Sequence, residues 1–194
     1  MPLLLASSSA IRQAMLDAAG VDYAALPAGI DESAAKERMG SDPATLALEL
    51  AKAKAQAVSA QHPDDWVIGS DSVVSVDRRQ YDKPASREQA ADHLRSFSGK
   101  AMQLVSAVAL ARGGATDWAH CDSATLHARS LSEAFIADYL DREWPAVAHC
   151  VGVFRLEGPG VQLFDAIDGD HFTILGMPLL PLLGALRTRG LIPS

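Results

Sequence analysis

Short apolar runs alternate with segments of helical composition along this chain, and the polar residues between them mark where elements begin and end. Leu3 to Ala6 reads as a short buried strand that stops at Ser7-Ser8-Ser9. Ala10 to Ala19 then has helical composition and closes on Gly20, a natural residue to follow a helix end. Val21 to Ala28 predicts a second strand, and Asp31-Glu32-Ser33 opens a polar stretch. Pro43 suits the first turn of a helix running to about Ala60. Trp66 to Val76 is β-rich, with Asp77-Arg78-Arg79-Gln80 as a turn. Ser86 can cap a helix that ends near Ser98-Gly99. Met102 to Ala111 predicts a strand, Gly113-Gly114 a hairpin turn, and the partner strand continues through Leu126. Ser130-Leu131-Ser132-Glu133 matches an S-x-x-E capping box before a helix ending near Glu143. Val151 to Leu156 and Val161 to Ile167 predict a strand pair around Glu157-Gly158-Pro159-Gly160, and Pro178 starts a last helix that ends at Gly190. Hairpins interleaved with helices predict an α/β fold with a mixed sheet.

Composition narrows this picture. A chain of 194 residues with 48% hydrophobic content has the material for one core, so residues 1–194 are expected to form a single domain. The net charge of −7 repels polyanions at long range, which argues against nucleic acid as a partner but leaves room for a small phosphorylated ligand met by local cations. Cys121 and Cys150 match no zinc or disulfide pattern. The N-terminal apolar run is too short for a signal peptide, and no run reaches the roughly 20 residues of a membrane span. A soluble, cytoplasmic protein with no membrane contact is the expectation.

Several positions carry candidate chemistry. A strand, a serine turn and a helix start make an anion site from free N–H groups, with Arg12 in the first helical turn; plain capping by Ser9 explains the same pattern. At about 100° per residue, Leu46, Leu50, Ala51, Ala57 and Val58 form one apolar arc with Lys54 in its middle, while Glu49, Lys52, Gln56 and Ser59 fall opposite. A lysine aimed inward must pair or bind something, or else snorkel past the apolar face. Asp71 interrupts an apolar strand just after Gly69, so it needs a metal, a cation or a set of backbone donors. Lys83 is held extended by Pro84, which presents its side chain rigidly to a ligand or simply leaves it an exposed turn lysine. Glu157 precedes Gly158-Pro159-Gly160, which is either a tight turn or a floor on which a flat ring can lie. The histidines show no zinc-ligand spacing, so a metal would be Mg²⁺ or Mn²⁺ on carboxylates and phosphate oxygens.

Together these pieces resemble the Maf family of nucleotide pyrophosphatases over nearly the whole chain. The resemblance is carried by Leu5-Ala6-Ser7-Ser8-Ser9-Ala10-Ile11-Arg12, Asp31-Glu32, Leu50-Ala51-Lys52-Ala53-Lys54-Ala55, Ile68-Gly69-Ser70-Asp71, Lys83-Pro84, Ser98-Gly99, Gly152-Val153-Phe154-Arg155-Leu156-Glu157-Gly158 and Gly176-Met177-Pro178. It implies an elongated mixed-sheet fold of the Maf/ITPase type, with two lobes around a central cleft, and a homodimer. It also implies hydrolysis between the α and β phosphates of a nucleoside triphosphate, giving a monophosphate and pyrophosphate. Ser7, Ser9, Arg12, Lys54 and Lys83 would then bind phosphate, and Glu32 and Asp71 would hold a divalent cation, Mg²⁺ or Mn²⁺, or activate water, with Asp71 as proton acceptor.

The resemblance divides on substrate. Ile11, Ser72 and Glu157 stand where the branch acting on dTTP and UTP has Arg, Thr and Gln, and where the branch acting on 7-methyl-GTP has Trp, Gln and Glu. Glu157 resembles the second branch. A carboxylate accepts two hydrogen bonds from the guanine N1–H and N2–H edge, whereas uracil or thymine offers one N–H between two carbonyls. Ile11 replaces an indole that would stack on a cationic base, worth about 0.5–2 kcal/mol, and Ser72 matches neither branch. The primary expectation is a 7-methyl-GTP-type pyrophosphatase; the alternatives are a dTTP/UTP pyrophosphatase and a nucleotide-binding regulator without turnover.

Overall fold

The computed structural model describes residues 2–32 and 42–193. Ser33, the end of the polar stretch named above, lies outside them. The fold is mixed α/β. Its strands, β1 (Leu3–Leu5), β2 (Ala24–Ala25), β3 (Trp66–Val76), β4 (Arg79–Tyr81), β5 (Ala101–Arg112), β6 (Ala115–Ala128) and β7 (Phe164–Asp168), run in the order β2-β1-β3-β5-β6-β7, with β4 pairing with β3, and six α-helices lie among the described residues. The chain divides into two compact units, one of Met1–Ser72, Val105–Asp122 and Asp170–Ser194, the other of Val73–Leu104 and Ser123–Gly169.

In the first unit, β1 (Leu3–Leu5) is buried along its length, as a continuous apolar run requires. It pairs in parallel with β3 (Trp66–Val76) through Leu3 opposite Trp66 and Leu5 opposite Ile68, and with β2 through Leu5 opposite Ala25. The second strand is shorter than expected: β2 covers only Ala24–Ala25, both exposed at the edge of the sheet. Helix α1 (Ala10–Ala18) sends Met15 and Leu16 into the core and stops where Gly20 takes a φ of 66°. Helix α2 (Pro43–Gln61) starts with the Asp42 carboxylate accepting from the Thr45 N–H. Its buried side includes Leu46, Leu50, Ala51, Lys54 and Val58, close to the predicted arc, but also Ser59. That serine was expected on the polar side; it is buried because its hydroxyl accepts the Gly114 N–H and donates to the Gln56 carbonyl. Leu3, Leu5, Leu16, Ile68, Val108, Leu110, Leu182 and Leu186 form the core of this unit.

In the second unit, the end of β3 folds back on β4 (Arg79–Tyr81), Val76 facing Arg79. The turn is tighter than predicted: only Asp77 and Arg78, at φ of 50° and 65°, lie between the strands. Helices α3 (Arg87–Phe97) and α4 (Glu133–Glu143) bury Leu94 and Phe97, and Ile136, Tyr139 and Leu140. Ser86 caps α3 through the Gln89 N–H. The capping box before α4 is corrected by two residues: Ser132, not Ser130, accepts from the Phe135 N–H, which leaves Glu133 free to pair with Arg95. The predicted strand pair around Glu157 is also absent among the described residues. Residues 151–158 form turns and Pro159–Leu163 a 3-10 helix. Only β7 (Phe164–Asp168) is a strand, and it pairs antiparallel with β6. Gly160 explains this: a Cβ there would lie 2.5 Å from the Arg155 carbonyl oxygen, so the backbone is packed on itself and no partner strand has room.

The long strands β5 (Ala101–Arg112) and β6 (Ala115–Ala128) join at Gly113 and Gly114, at φ of 58° and 78°, as the hairpin signal predicts. Residues 171–174 form a short helix α5, and α6 (Leu179–Thr188) ends before Gly190 at φ 66°. No helix among the described residues is long and apolar enough to cross a membrane.

Candidate active site

Two burial problems visible in the sequence solve each other. Lys54 lies on the buried face of α2 and Asp71 in the buried strand β3, 8% exposed. Their side chains meet at 2.6 Å, and Lys54 Nζ also lies 2.8 Å from Glu32 Oε1. One ammonium is therefore shared by two carboxylates, one buried and one half-exposed. The close approach of α2 to β3 depends on Gly69: a Cβ there would sit 2.1 Å from the Ala51 carbonyl oxygen and 2.6 Å from the Ala55 nitrogen. Gly69, two residues before Asp71, thus admits the backbone of α2 at Ala51 and Ala55.

Arg12 is tied down from several sides. Its Nε donates to the Gly176 carbonyl at 2.9 Å, Nη1 to the Ser70 carbonyl at 3.1 Å, and Nη2 to Ser72 Oγ at 3.1 Å. A longer contact of 3.5 Å runs from Nη1 to Ser7 Oγ. Burial lowers the Arg12 pKa, and the negative charges of Asp71 and Glu32 oppose that shift. The Gly176 carbonyl also accepts from Ser70 Oγ at 3.0 Å and Ser72 Oγ at 3.2 Å. A glycine is required there, since its φ is 103° and a Cβ would press on Ser72 Oγ at 3.2 Å.

Ser7 is buried and its Oγ accepts the Ser9 N–H. Ser9 occupies the position before α1, yet its side chain makes no capping bond, so plain capping does not account for it. Ile11 follows in the first turn, half-buried.

Lys83 and Glu157 belong to the second unit and both are exposed. Glu157 sits in a turn closed by the Gly158 N–H on the Arg155 carbonyl, not at a strand end. The Cys150 thiol is pushed up to about 11, by burial first and by Glu157 next, with Arg155 and Lys83 opposing, so the charges of Lys83 and Glu157 reach a common neighbour. Beside them Arg155 pairs with the buried Glu143 at 2.8 Å. The structure thus brings Ser7, Arg12, Glu32, Lys54, Asp71 and Ser72 together in the first unit and keeps Lys83 and Glu157 in the second. Residue-by-residue reasoning passed over Ser70, Ser106, Thr173 and the Gly176 carbonyl. For Ser70 and Gly176 the signal was their place within the motifs; for Ser106 and Thr173 the sequence offered none.

The Maf-like protein family model matches residues 2–189. The chain belongs to the Maf family. Among its relatives, a protein of Granulibacter bethesdensis named nucleoside triphosphate pyrophosphatase is 46% identical over 96% of each chain. A protein of Rhizobium etli named 7-methyl-GTP pyrophosphatase is 49% identical over 98% of this chain and 97% of that one. Another of that name, from Rhizobium meliloti, is 45% identical over 99% of this chain and 98% of its own. Both names thus occur at nearly the same distance.

Proposed function

We propose that this Maf-family enzyme hydrolyses nucleoside triphosphates between the α and β phosphates, with 7-methyl-GTP or a related modified nucleotide as substrate and Asp71 as proton acceptor. The coarse activity is the one its full-length relatives carry in their names. The observation that carries the residue assignment is the Lys54 ammonium shared at 2.6 and 2.8 Å by Asp71 and Glu32. A buried ion pair is a poor way to gain stability, because desolvation offsets most of the attraction. Two carboxylates aimed at one cation beside an immobilised arginine are better read as a site for phosphate chemistry.

Charge balance points the same way. Arg12 and Lys54 offset Asp71 and Glu32, so a triphosphate needs further positive charge. Asp71 and Glu32 present hard oxygens to one cationic centre, a donor set that suits Mg²⁺ or Mn²⁺. Such an ion, when bound, supplies Lewis acidity toward water and phosphate oxygens. Lys54 and Lys83 would stabilise charge on the pyrophosphate leaving group, and Ser7, Ser9 and Arg12 would orient the phosphates. For the base, the argument rests on Glu157 and Ile11. Ser72 already serves Arg12 and Gly176 with its hydroxyl, which leaves it little freedom to read a base.

Pyrophosphate release from a panel of triphosphates, with Mg²⁺ and with Mn²⁺, tests the reading. Turnover of 7-methyl-GTP is expected to exceed that of UTP and dTTP; the reverse order sinks the base assignment. Asp71→Asn is expected to lose at least about 100-fold in kcat, the scale of a general base, while still binding nucleotide. Unchanged turnover in that variant removes Asp71 from the mechanism.

A further inference from the structure

We propose that Ser106 is a positioning residue for the reaction, acting through Ser72 to hold the Arg12 guanidinium; this deepens the function proposed above and rests on it. Ser106 lies on β5, fully buried, and has itself been given no role toward phosphate or base. Its hydroxyl donates to the Thr173 carbonyl at 2.8 Å and lies 2.9 Å from Ser72 Oγ. A serine has one hydroxyl hydrogen. Both serines face a carbonyl, and the Ser106 contact is the shorter, 2.8 Å to Thr173 against 3.2 Å from Ser72 to Gly176, so Ser106 keeps its hydrogen on Thr173 and Ser72 donates at the shared contact. Ser72 then shares its own hydrogen between Ser106 and the Gly176 carbonyl, and turns its lone pairs to Arg12 Nη2.

The shorter carbonyl contact gives the chain one direction: Arg12 donates to Ser72, Ser72 to Ser106, and Ser106 to the Thr173 carbonyl. Chains with one direction polarise each member and strengthen the next bond. The far end is anchored, since the Thr173 N–H donates to Asp170 Oδ1 at 3.0 Å and its hydroxyl lies 3.3 Å from both Asp122 and Asp170. The near end matters because Arg12 also grips the Ser70 carbonyl, the residue just before Asp71. The relay thus sets where a desolvated positive charge stands relative to the proposed base. Four described contacts occupy four of the five N–H groups a guanidinium has, so Arg12 is held as a fixed charge with little freedom to wrap a ligand. Misplacing such a charge changes the transition state more than it changes substrate capture.

Ser106→Ala tests this. The expected result is a kcat loss of about tenfold with KM moved less than about threefold, and faster exchange of the Arg12 Nε–H proton with water, followed by NMR in the nucleotide-free protein. In an Arg12→Lys background the same substitution is expected to change kcat little, because its effect runs through the guanidinium. A merely structural serine gives another pattern: a lowered Tm, with kcat and Arg12 Nε–H exchange as in the wild type. That pattern overturns the proposal, and so does an equal kcat loss in the Arg12→Lys background. Where Ser106→Ala does not fold, Ser106→Cys keeps a weaker donor in nearly the same volume and is held to the same outcomes. The exchange measurement needs no turnover, so a protein inactive on every nucleotide would sink the proposed function while leaving this inference to be decided on its own.

Discussion

At Lys54 one side chain bears on both stability and the proposed chemistry. Its nitrogen lies within ion-pair distance of both Asp71 and Glu32. Lys54→Met keeps the length and apolar stem but removes the charge, leaving a buried carboxylate uncompensated. In metal-free buffer the variant is expected to lose about 3 kcal/mol of stability, the low end for breaking a buried pair, since Glu32 is half-exposed. Added Mn²⁺ is then expected to raise its Tm by more than it raises that of the wild type, because the ion no longer competes with an ammonium for the same oxygens. Thermal melts with and without Mn²⁺ give the answer, and an equal rise in both proteins means these carboxylates are not the metal donors. This pair was legible in the sequence because a cation within an apolar arc and an acid within an apolar strand each need a partner. Two of the ties on Arg12 were not: they end on the carbonyls of Ser70 and Gly176, and main-chain oxygens carry no label in a sequence.

At the level of elements, the register of α2 on β3 places Lys54 against Asp71, and Gly69 sets how close the two can come. Gly69→Ala forces a methyl to within 2.1 Å of the Ala51 carbonyl, where neither helix nor strand can yield. A loss of at least about 3 kcal/mol is expected, read as a lowered urea midpoint, together with a loss of turnover. Gly184 is the control. It lies within α6, and a Cβ there meets nothing within 4 Å. Gly184→Ala is expected to stabilise by about 0.5–1 kcal/mol through a less flexible unfolded chain; a loss there would mean glycine scanning in this protein reports something other than packing. Elements with a local cause were the readable ones. Pro43, Ser86, Gly20 and Gly113-Gly114 each act on their own neighbourhood, and the helices and hairpin follow. The segment around Glu157 failed because its alternating apolar residues look like strands, while the backbone of Arg155 occupies the space over Gly160 that a paired strand would need. The Ser130 capping box failed because Ser132 competes for the same helix start, and Arg95 offers Glu133 a better partner than a backbone N–H.

For the molecule as a whole, one buried histidine sets an acid limit separate from the chemistry proposed at Asp71. His93 on α3 packs edge-on against Tyr81, with ring centroids 5.1 Å apart, and near Phe97 at 6.0 Å. Its Nδ1 is buried with no hydrogen-bond partner among the described residues. Its pKa is lowered from 6.5, by burial first and by the Arg79 charge next, with Asp92 and Asp82 opposing. The folded protein therefore binds this proton less readily than the unfolded chain does. Stability from neutral His93 is fully present above about pH 6.5 and is drawn down as pH falls toward the lowered folded value. Asp42 and Glu133, whose pKa values are lowered from 3.8 and 4.5, stay ionised in that window and add no slope. Urea midpoints are expected to fall between about pH 6.5 and 5.5 in the wild type. His93→Phe preserves the ring packing against Tyr81 and removes the titration, so its midpoints should stay flatter over the same range. Parallel slopes in the two proteins would assign the acid sensitivity to another group. A flat variant that keeps its turnover would show that the acid limit of folding and the proposed catalytic carboxylates are set independently.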